Sequence, residues 1–269
     1  MTQRMRVFLL AGQSNMGAVD SLVDPDVRVK DLAELERQEP ADREGLFCYG
    51  KLREPETLTP WGDVRGHRGS FMGEAADVQG HSFKVHGPEI TFSRALHAAG
   101  IRPLALVKVW GNFAAYEQGH SPWTPGGSFW ASWMDIVDCR LHELTARGID
   151  YRIAGFLWHQ GIDDGIRARS QAQYENDLEA IIGGLRARFG VPDAPFVLAR
   201  SIDSPIGNAN GSMAPIRAGQ VAVAERVPAT AWIDVDDLGP WVNQHHMTAQ
   251  AQREAGRRFA AAYLSVSGP

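Results

Sequence analysis

The sequence predicts an α/β fold in which a parallel sheet carries helices on both faces. Short apolar runs typical of buried strands alternate along the chain with longer segments whose apolar residues repeat at helical spacing. Four of the five predicted strands end in side chains capable of chemistry, and in a parallel sheet those ends lie at one edge. With 269 residues, 44% of them hydrophobic, we expect a single domain over residues 1–269.

The first strand is predicted over residues 7–11, an apolar run that stops at Gly12. A polar stretch of about 18–85 follows, which we expect to be a long loop excursion with only a short helix near 28–38. Alternation of strands and helices resumes after this stretch. The further strands are predicted at 103–109, 153–158, 196–199 and 231–235, and the helices between Pro88 and Gly100 and at 129–146, 170–188, 213–225 and 248–263.

Composition and charge exclude several classes of protein. A net charge of −5 leaves no basic footprint for nucleic acid or for an anionic membrane surface. No stretch approaches the roughly 20 apolar residues of a membrane span, and the first apolar run is too short for a signal peptide. The chain as written is therefore expected to be soluble and cytoplasmic, or secreted if a signal has been removed. The two cysteines lack metal or redox spacing, and we expect no metal and no other cofactor.

The turn after the first strand holds the main catalytic candidate. Ser14 follows Gly12 by two residues, which places a hydroxyl where open α/β sheets bind their ligands. A serine is a poor nucleophile without a positioned base, and histidine suits that role because its ordinary pKa is near 6.5. An ordinary polar turn would explain the same residues. The Gly-x-Ser-x-Gly elbow of α/β-hydrolases is absent, since Met16 stands at the second glycine position.

Residues at the other strand ends suggest acyl transfer. The N–H of Gly111 and the side-chain amide of Gln160 would complement the N–H of Ser14 as donors to a tetrahedral oxyanion. The structural alternatives are a turn glycine at position 111 and a capping amide at position 160. The polar residues that follow the predicted strands are Asn112, His159, Asp163, Asp164, Asp236, Asp237, Asn243, His245 and His246.

Structural roles are the alternative for several of these residues. His159, next to Trp158, is expected to pack in the core, and the neighbouring acids at 163–164 would cap the segment that follows. The adjacent histidines at 245–246 lack a third ligand at metal-site spacing. Trp123, which lies in a proline-flanked loop, is the candidate for an exposed sugar-stacking face.

Four motifs in chain order resemble the SGNH hydrolases. They are Gly12–Met16 after an apolar strand, His86–Glu89, Trp158–Gly161, and His246–Thr248 before a helix. More narrowly, they are similar to the carbohydrate-esterase branch that contains acetylxylan esterases and sialate O-acetylesterase-like proteins. The resemblance extends from residue 7 to about 260. It implies a flavodoxin-like three-layer α/β/α sandwich, in which we expect five parallel strands.

The resemblance implies Ser14 as the nucleophile and His246 as the general base. His246 is preferred to His245 because the family histidine directly precedes an apolar residue and then a small polar one. Met247 and Thr248 fit that pattern in this sequence.

The resemblance also implies an oxyanion hole formed by Ser14, Gly111 and Gln160, with no metal. Two departures from the family pattern concern the site. Asn112 replaces the usual second glycine after the second strand, and we assign it with Trp123 to substrate binding. Asn243 and Ile162 occupy the positions where relatives carry the acid that orients the histidine.

Three explanations for the missing acid remain open. A carboxylate from a shifted position orients the imidazole, or a Ser–His dyad works with Asn243 or a backbone carbonyl, or the chain binds without cleaving. The candidates for a shifted acid are Asp163, Asp164, Asp236 and Asp237.

The predicted function is a serine esterase that removes short acyl groups, above all acetyl, from a carbohydrate or similar polyol. Its partner would be a small-molecule or oligosaccharide ester. The alternatives are a catalytically weakened carbohydrate-binding relative and a short-chain esterase that acts on esters other than sugars.

Overall fold

A parallel sheet lies at the centre of the computed structural model, which describes residues 4–19, 21, 39–64, 67–68, 84–85, 87–239, 241–242 and 244–268. The strands in these ranges are β1 (Met5–Gly12), β2 (Leu46–Lys51), β3 (His67–Arg68), β4 (Lys84–Val85), β5 (Leu104–Trp110), β6 (Tyr151–His159), β7 (Phe196–Ala199), β8 (Thr230–Ile233), β9 (Trp241–Val242) and β10 (His246–Met247).

The helices in the same ranges include four long ones that match the sequence predictions closely. They begin and end within a few residues of the predicted bounds. In chain order the helices are α1 (Ser14–Gly17), α2 (Pro40–Glu44), α3 (Glu89–Ala98), α4 (Ser128–Ala146), α5 (Ile162–Ile166), α6 (Gln171–Phe189), α7 (Met213–Arg226) and α8 (Ala249–Val266), with short 3-10 turns at Pro55–Thr57 and Asp236–Leu238.

Within the described residues the central sheet has six strands in the order β2-β5-β1-β6-β7-β8, and their pairings are all parallel. After β1 the chain continues on the side of the sheet that ends in β2. After β5 it crosses to β6, on the other side of β1, and continues toward β8. The direction in which strands are added therefore reverses around β1. Ligands bind open α/β sheets at such a reversal, beyond the C-terminal ends of the strands. The fold therefore directs attention to the residues that follow β1, β5 and β6.

The prediction of five strands is corrected to six, because β2 lies inside the stretch expected to be a loop excursion. It pairs with β5, and its four central residues are buried. Only four apolar residues stand together there, at 46–49, and a run of that length is hard to recognise among prolines and charges. The short helix predicted near 28–38 lies outside the described residues.

Alternate side chains of the strands pack into two hydrophobic cores, one on each face of the sheet. In β1, Val7 and Leu9 belong to the core beneath α4, α6 and α7, whereas Phe8 and Leu10 belong to the core beneath α3 and α8. Strands buried on both faces explain why the sequence shows continuous apolar runs rather than alternation. The predicted three-layer α/β/α sandwich is confirmed.

Helix α8 lies very close to α3, and a glycine makes this approach possible. A Cβ on Gly256 would lie 2.2 Å from the carbonyl oxygen of Pro88 and from Oγ1 of Thr91. The contact fixes α8, whose first turn follows directly after β10. Through this packing the fold determines where His246 stands.

Candidate active site

Ser14 lies at the C-terminal end of β1, where the chain turns into α1. β1 approaches β6 so closely that a Cβ on Gly12 would lie 2.1 Å from the carbonyl oxygen of His159. Gln13 donates its backbone N–H to the same oxygen at 2.9 Å. Glycine is therefore required at position 12, and the turn holds Ser14 at the sheet edge with 8% of its surface exposed.

The side chain of Gln13 connects this turn to the residues after β6. Its Oε1 accepts the N–H of Gly161 at 2.8 Å and that of Ile162 at 3.0 Å. These N–H groups lie at the start of α5, where intrahelical acceptors are lacking. The turn that carries Ser14 and the segment that carries Gln160 therefore form one connected unit.

Asn15, the residue after the candidate nucleophile, joins α1 to β10. Its Nδ2 donates to the carbonyl oxygen of His245 at 2.9 Å, and its Oδ1 accepts the N–H of Met247 at 3.0 Å. These two residues flank His246 in the chain. Gln252 of α8 adds a bond from Nε2 to the carbonyl oxygen of Asn15 at 2.8 Å. The residue next to the predicted nucleophile is thus bound to both neighbours of the predicted base.

His246 is 6% exposed, and Thr248, two residues later, is the N-cap of α8 and accepts the N–H of Ala251. The ring of His245 lies beside that of His246, with 4.0 Å between centroids and 51° between planes. Both imidazoles therefore lie at this end of the sheet. The choice of His246 over His245 as the base stays a prediction.

The two backbone donors predicted for the oxyanion hole each have an internal acceptor. The N–H of Ser14 donates to Oδ1 of Asn112 at 3.2 Å, and the N–H of Gly111 donates to the carbonyl oxygen of Gly12 at 3.0 Å. The second bond continues the pairing of β1 with β5, so Gly111 would have to share its N–H with a substrate oxygen. Glycine at 111 has a packing reason as well, since a Cβ there would lie 2.9 Å from the ring of Phe129.

Gln160, the third predicted donor, is buried and held by a polar network. Its Nε2 donates to Oδ2 of Asp164, and its backbone carbonyl oxygen accepts a hydrogen bond from the hydroxyl of Tyr174 at 2.9 Å. Asp164 also lies 3.4 Å from Nε of Arg169. Burial raises the pKa of Asp164 to about 6, opposed by the hydrogen bond from Gln160 and by the positive charge of Arg169. A primary amide has two N–H donors, so Gln160 retains one beyond the one given to Asp164.

Two of the proposed orienting acids are paired with arginines. Asp236 accepts hydrogen bonds from Arg200 at 2.8 Å and from Arg217 at 2.6 and 2.9 Å. Its pKa lies below the usual value, chiefly because of the bond from Arg217. Asp237 forms a two-pronged pair with Arg258 at 2.6 and 2.7 Å. Both oxygens of each carboxylate are thus engaged by guanidinium groups.

The remaining candidates for the orienting acid lie near the oxyanion donors. Asp163 accepts the N–H of Phe113 at 2.9 Å, and Asp164 is bound to Gln160. Burial raises the pKa of Asp163. Asn243 lies outside the described residues. Asp163 thus contacts the segment after β5, and Asp164 contacts the side chain of Gln160.

The prediction that Trp123 offers an exposed sugar-stacking face is wrong. Trp123 is 1% exposed. Its ring packs edge-on against Phe129, Trp133 and Trp158, with centroids 5.0, 5.9 and 5.1 Å away. The flanking prolines suggested an exposed loop, but the loop folds over the core beneath α4 and buries the indole there.

His159 is buried, as the sequence predicted. It is 3% exposed, and burial lowers its pKa to about 4. The imidazole is therefore neutral in the folded chain at neutral pH. Its place at the end of β6 serves packing and the carbonyl contact with the turn of Ser14.

The lowered pKa of His159 makes stability depend on pH. Between pH 4 and 6.5 the unfolded chain binds a proton at this residue that the folded chain does not, so stability falls as pH decreases through that window. From pH 7 to pH 5 we expect the parent to lose about 2 kcal/mol more than a His159→Gln variant. Urea unfolding of both proteins at each pH measures the difference, and equal losses would contradict it. Titration of Asp164 cancels in the comparison because both chains carry it.

The described ranges hold no group of three or more His, Cys, Asp or Glu side chains placed to hold a metal ion. None of the helices within them combines the length and apolar character needed to cross a bilayer.

Comparison with known proteins identifies the family. Residues 4–265 match the family described as carbohydrate esterase, sialic acid-specific acetylesterase. The chain belongs to this family. A probable carbohydrate esterase from Arabidopsis thaliana is 26% identical over 113 residues, which are 42% of this chain and 41% of that protein. The match thus spans less than half of the length of this curated relative.

Solved structures show the same fold as this chain. A protein from Arabidopsis thaliana matches with a TM-score of 0.66 and 20% identity, over 98% of this chain and 99% of that chain. A carbohydrate acetylesterase from Xanthomonas citri matches with a TM-score of 0.61 and 18% identity, over 97% of this chain and 56% of that chain. The α/β architecture and the resemblance to sialate O-acetylesterase-like carbohydrate esterases, both inferred from the sequence, are confirmed.

Proposed function

We propose that this carbohydrate esterase removes short acyl groups, above all acetyl, from a carbohydrate or similar polyol, with Ser14 as nucleophile and His246 as general base. The observation that carries the proposal is the pair of hydrogen bonds between Asn15 and the residues on either side of His246: Asn15 donates to one of them and accepts from the other. They tie the predicted base to the residue next to the predicted nucleophile. Membership of the acetylesterase family supports the ester chemistry and the class of substrate.

In this mechanism His246 accepts the proton of the Ser14 hydroxyl as its oxygen attacks the ester carbonyl carbon. The tetrahedral intermediate collapses, the sugar oxygen leaves with the proton from the imidazole, and an acyl-serine remains. A water molecule then repeats the sequence, with His246 again as base, and acetate is released. No metal ion is needed for either step.

Two donors are proposed for the developing oxyanion. The second N–H of Gln160 is one of them, because Asp164 holds the first and thereby fixes the orientation of the amide. The N–H of Ser14 is the other, and its bond to Asn112 would give way to the more negative substrate oxygen. Asn112 therefore remains a proposed substrate-binding residue. Gly111 stays a predicted third donor, in competition with its sheet bond.

We infer that a Ser–His dyad operates without any of the four aspartates considered as shifted acids. Asp236 and Asp237 are neutralised by arginines, and Asp163 and Asp164 bind the segment after β5 and the Gln160 amide. The hydrogen bonds between Asn15 and both neighbours of His246 would then hold the backbone that carries the imidazole. Asp164 keeps a role as a positioning residue for Gln160.

Hydrolysis of p-nitrophenyl esters from acetate to octanoate tests the proposed activity. We expect kcat/KM to fall steeply beyond short acyl groups, and we expect acetate to be released from a peracetylated pyranoside. A maximum at longer chains with no action on the sugar ester would favour the esterase on non-sugar esters. Binding of sugars without release of acetate would favour the weakened carbohydrate-binding relative, to which Asn243 and Ile162 point.

A further inference from the structure

The backbone carbonyl oxygen of Gln160 is surrounded by buried hydrogen-bond donors. Gln160 is the first residue after β6, so this oxygen lies beyond the last pairing of that strand in the sheet. It accepts from the hydroxyl of Tyr174 in α6 at 2.9 Å, from that of Ser201 after β7 at 3.2 Å, and from Nε2 of Gln220 in α7 at 2.8 Å. A carbonyl oxygen has two lone pairs, so three donors saturate it.

Gln220 is the centre of this network. Its surface is fully buried. Besides the bond to Gln160, its Nε2 lies 3.1 Å from the hydroxyl oxygens of both Tyr174 and Ser201, and its Oε1 accepts the backbone N–H of Ser201 at 2.8 Å. Removal of this amide would leave several buried polar groups without a partner, which is more costly than the loss of one exposed hydrogen bond.

The peptide group that joins Gln160 to Gly161 is bound at both of its ends. Its C=O accepts from Gln220, and its N–H donates to Oε1 of Gln13, the residue before the proposed nucleophile, at 2.8 Å. The network packs against this peptide so closely that a Cβ on Gly161 would lie 3.0 Å from Nε2 of Gln220. The peptide plane therefore cannot rotate without breaking buried hydrogen bonds.

We propose that Gln220 is a positioning residue for ester hydrolysis, which holds the backbone of Gln160 so that its side-chain amide points at the developing oxyanion. An oxyanion donor is effective only when its N–H points at the place where the charge forms, and a misplacement of about 1 Å can cost roughly 100-fold in rate. Asp164 fixes the far end of the Gln160 side chain, and Gln220 fixes the backbone from which it extends. The inference rests on the proposed function, in which Gln160 is an oxyanion donor.

Substitution of Gln220 by methionine tests the proposal, because it removes the amide and keeps the length of the side chain. We expect kcat for p-nitrophenyl acetate to fall about ten- to hundredfold with KM nearly unchanged, since the oxyanion forms only in the transition state. Arg186→Met is the matched control. The buried guanidinium of Arg186 binds backbone carbonyls just before β7 and β8, at the opposite edge of the sheet, at residues Ala194, Pro228 and Ala229. This variant should melt at a lower temperature and keep the parental kcat, and an equal loss of kcat in both variants would overturn the proposal.

A double-variant cycle with Gln160→Ala separates positioning from a merely structural role. Gln160→Ala should lower kcat by about 100-fold or more. Because Gln220 is proposed to act through the amide of Gln160, adding Gln220→Met to Gln160→Ala should lower kcat by less than about threefold further. A further loss as large as in the parent background would refute the proposal. Gln220→Asn, whose amide is one methylene shorter, allows the same comparison if Gln220→Met does not fold.

Two other outcomes distinguish this inference from the proposed function. An unchanged kcat in Gln220→Met or in Gln160→Ala would overturn the inference and leave the esterase intact. If the parent hydrolyses no ester, the proposed function fails, and NMR relaxation of the Gln160 side-chain amide still decides whether Gln220 positions it. We expect this amide to be rigid in the parent and in Arg186→Met, and mobile on the picosecond to nanosecond timescale in Gln220→Met. An equally rigid amide in Gln220→Met would refute the positioning role.

Discussion

Replacement of Ser14 by alanine is expected to lower kcat for p-nitrophenyl acetate by at least about 10⁴-fold. Without the hydroxyl no acyl-enzyme forms, so there is no acyl-serine for a water molecule to hydrolyse. The backbone N–H of residue 14 and the contacts of Gln13 and Asn15 do not depend on the hydroxyl. The variant should therefore melt close to the parent, and its loss would be one of chemistry.

The measurement compares initial rates of parent, Ser14→Ala and Ser265→Ala at matched concentration. Ser265 is an exposed serine of α8 whose hydroxyl bonds within its own helix, so its removal should leave the rate unchanged. Retention of the parental rate by Ser14→Ala would refute Ser14 as nucleophile. A parent without measurable hydrolysis would instead point to the carbohydrate-binding alternative.

The fold was largely predictable because buried parallel strands leave continuous apolar runs and their crossover helices leave a helical period. Thr248 and Ser170 accept N–H groups in the first turns of α8 and α6, and such caps can be recognised from local sequence alone. β2 was missed since its burial comes from pairing with β5, which local sequence does not encode.

The main candidates for the site could be predicted from motifs, but the contacts that connect them could not. Gln13 and Asn15 stand inside the motif around Ser14, yet their partners lie beyond β6 and in β10, far along the chain. Trp123 was misjudged because flanking prolines do not reveal which way a loop folds.

The histidine pair offers an internal comparison. We expect His246→Ala to lower kcat by about 10⁴-fold or more, and His245→Ala by less than about tenfold. His245 meets Asn15 through its backbone carbonyl, which alanine retains. Loss of its ring removes the contact with the neighbouring imidazole, whose ring centroid lies 4.0 Å away. The side chain of His246, by contrast, is the proposed acceptor of the Ser14 proton.

Chemical rescue shows whether the lost group was the base. Added imidazole should restore part of the acetate hydrolysis of His246→Ala, because it supplies a proton acceptor in the space that the substitution opens. It should not restore Ser14→Ala, in which no hydroxyl remains to be activated. A large loss in His245→Ala together with an active His246→Ala would transfer the role of base to His245. The hydrogen bonds of Asn15 are compatible with that outcome, because they bind the backbone on both sides of His246 and do not determine which of the two imidazoles acts as the base.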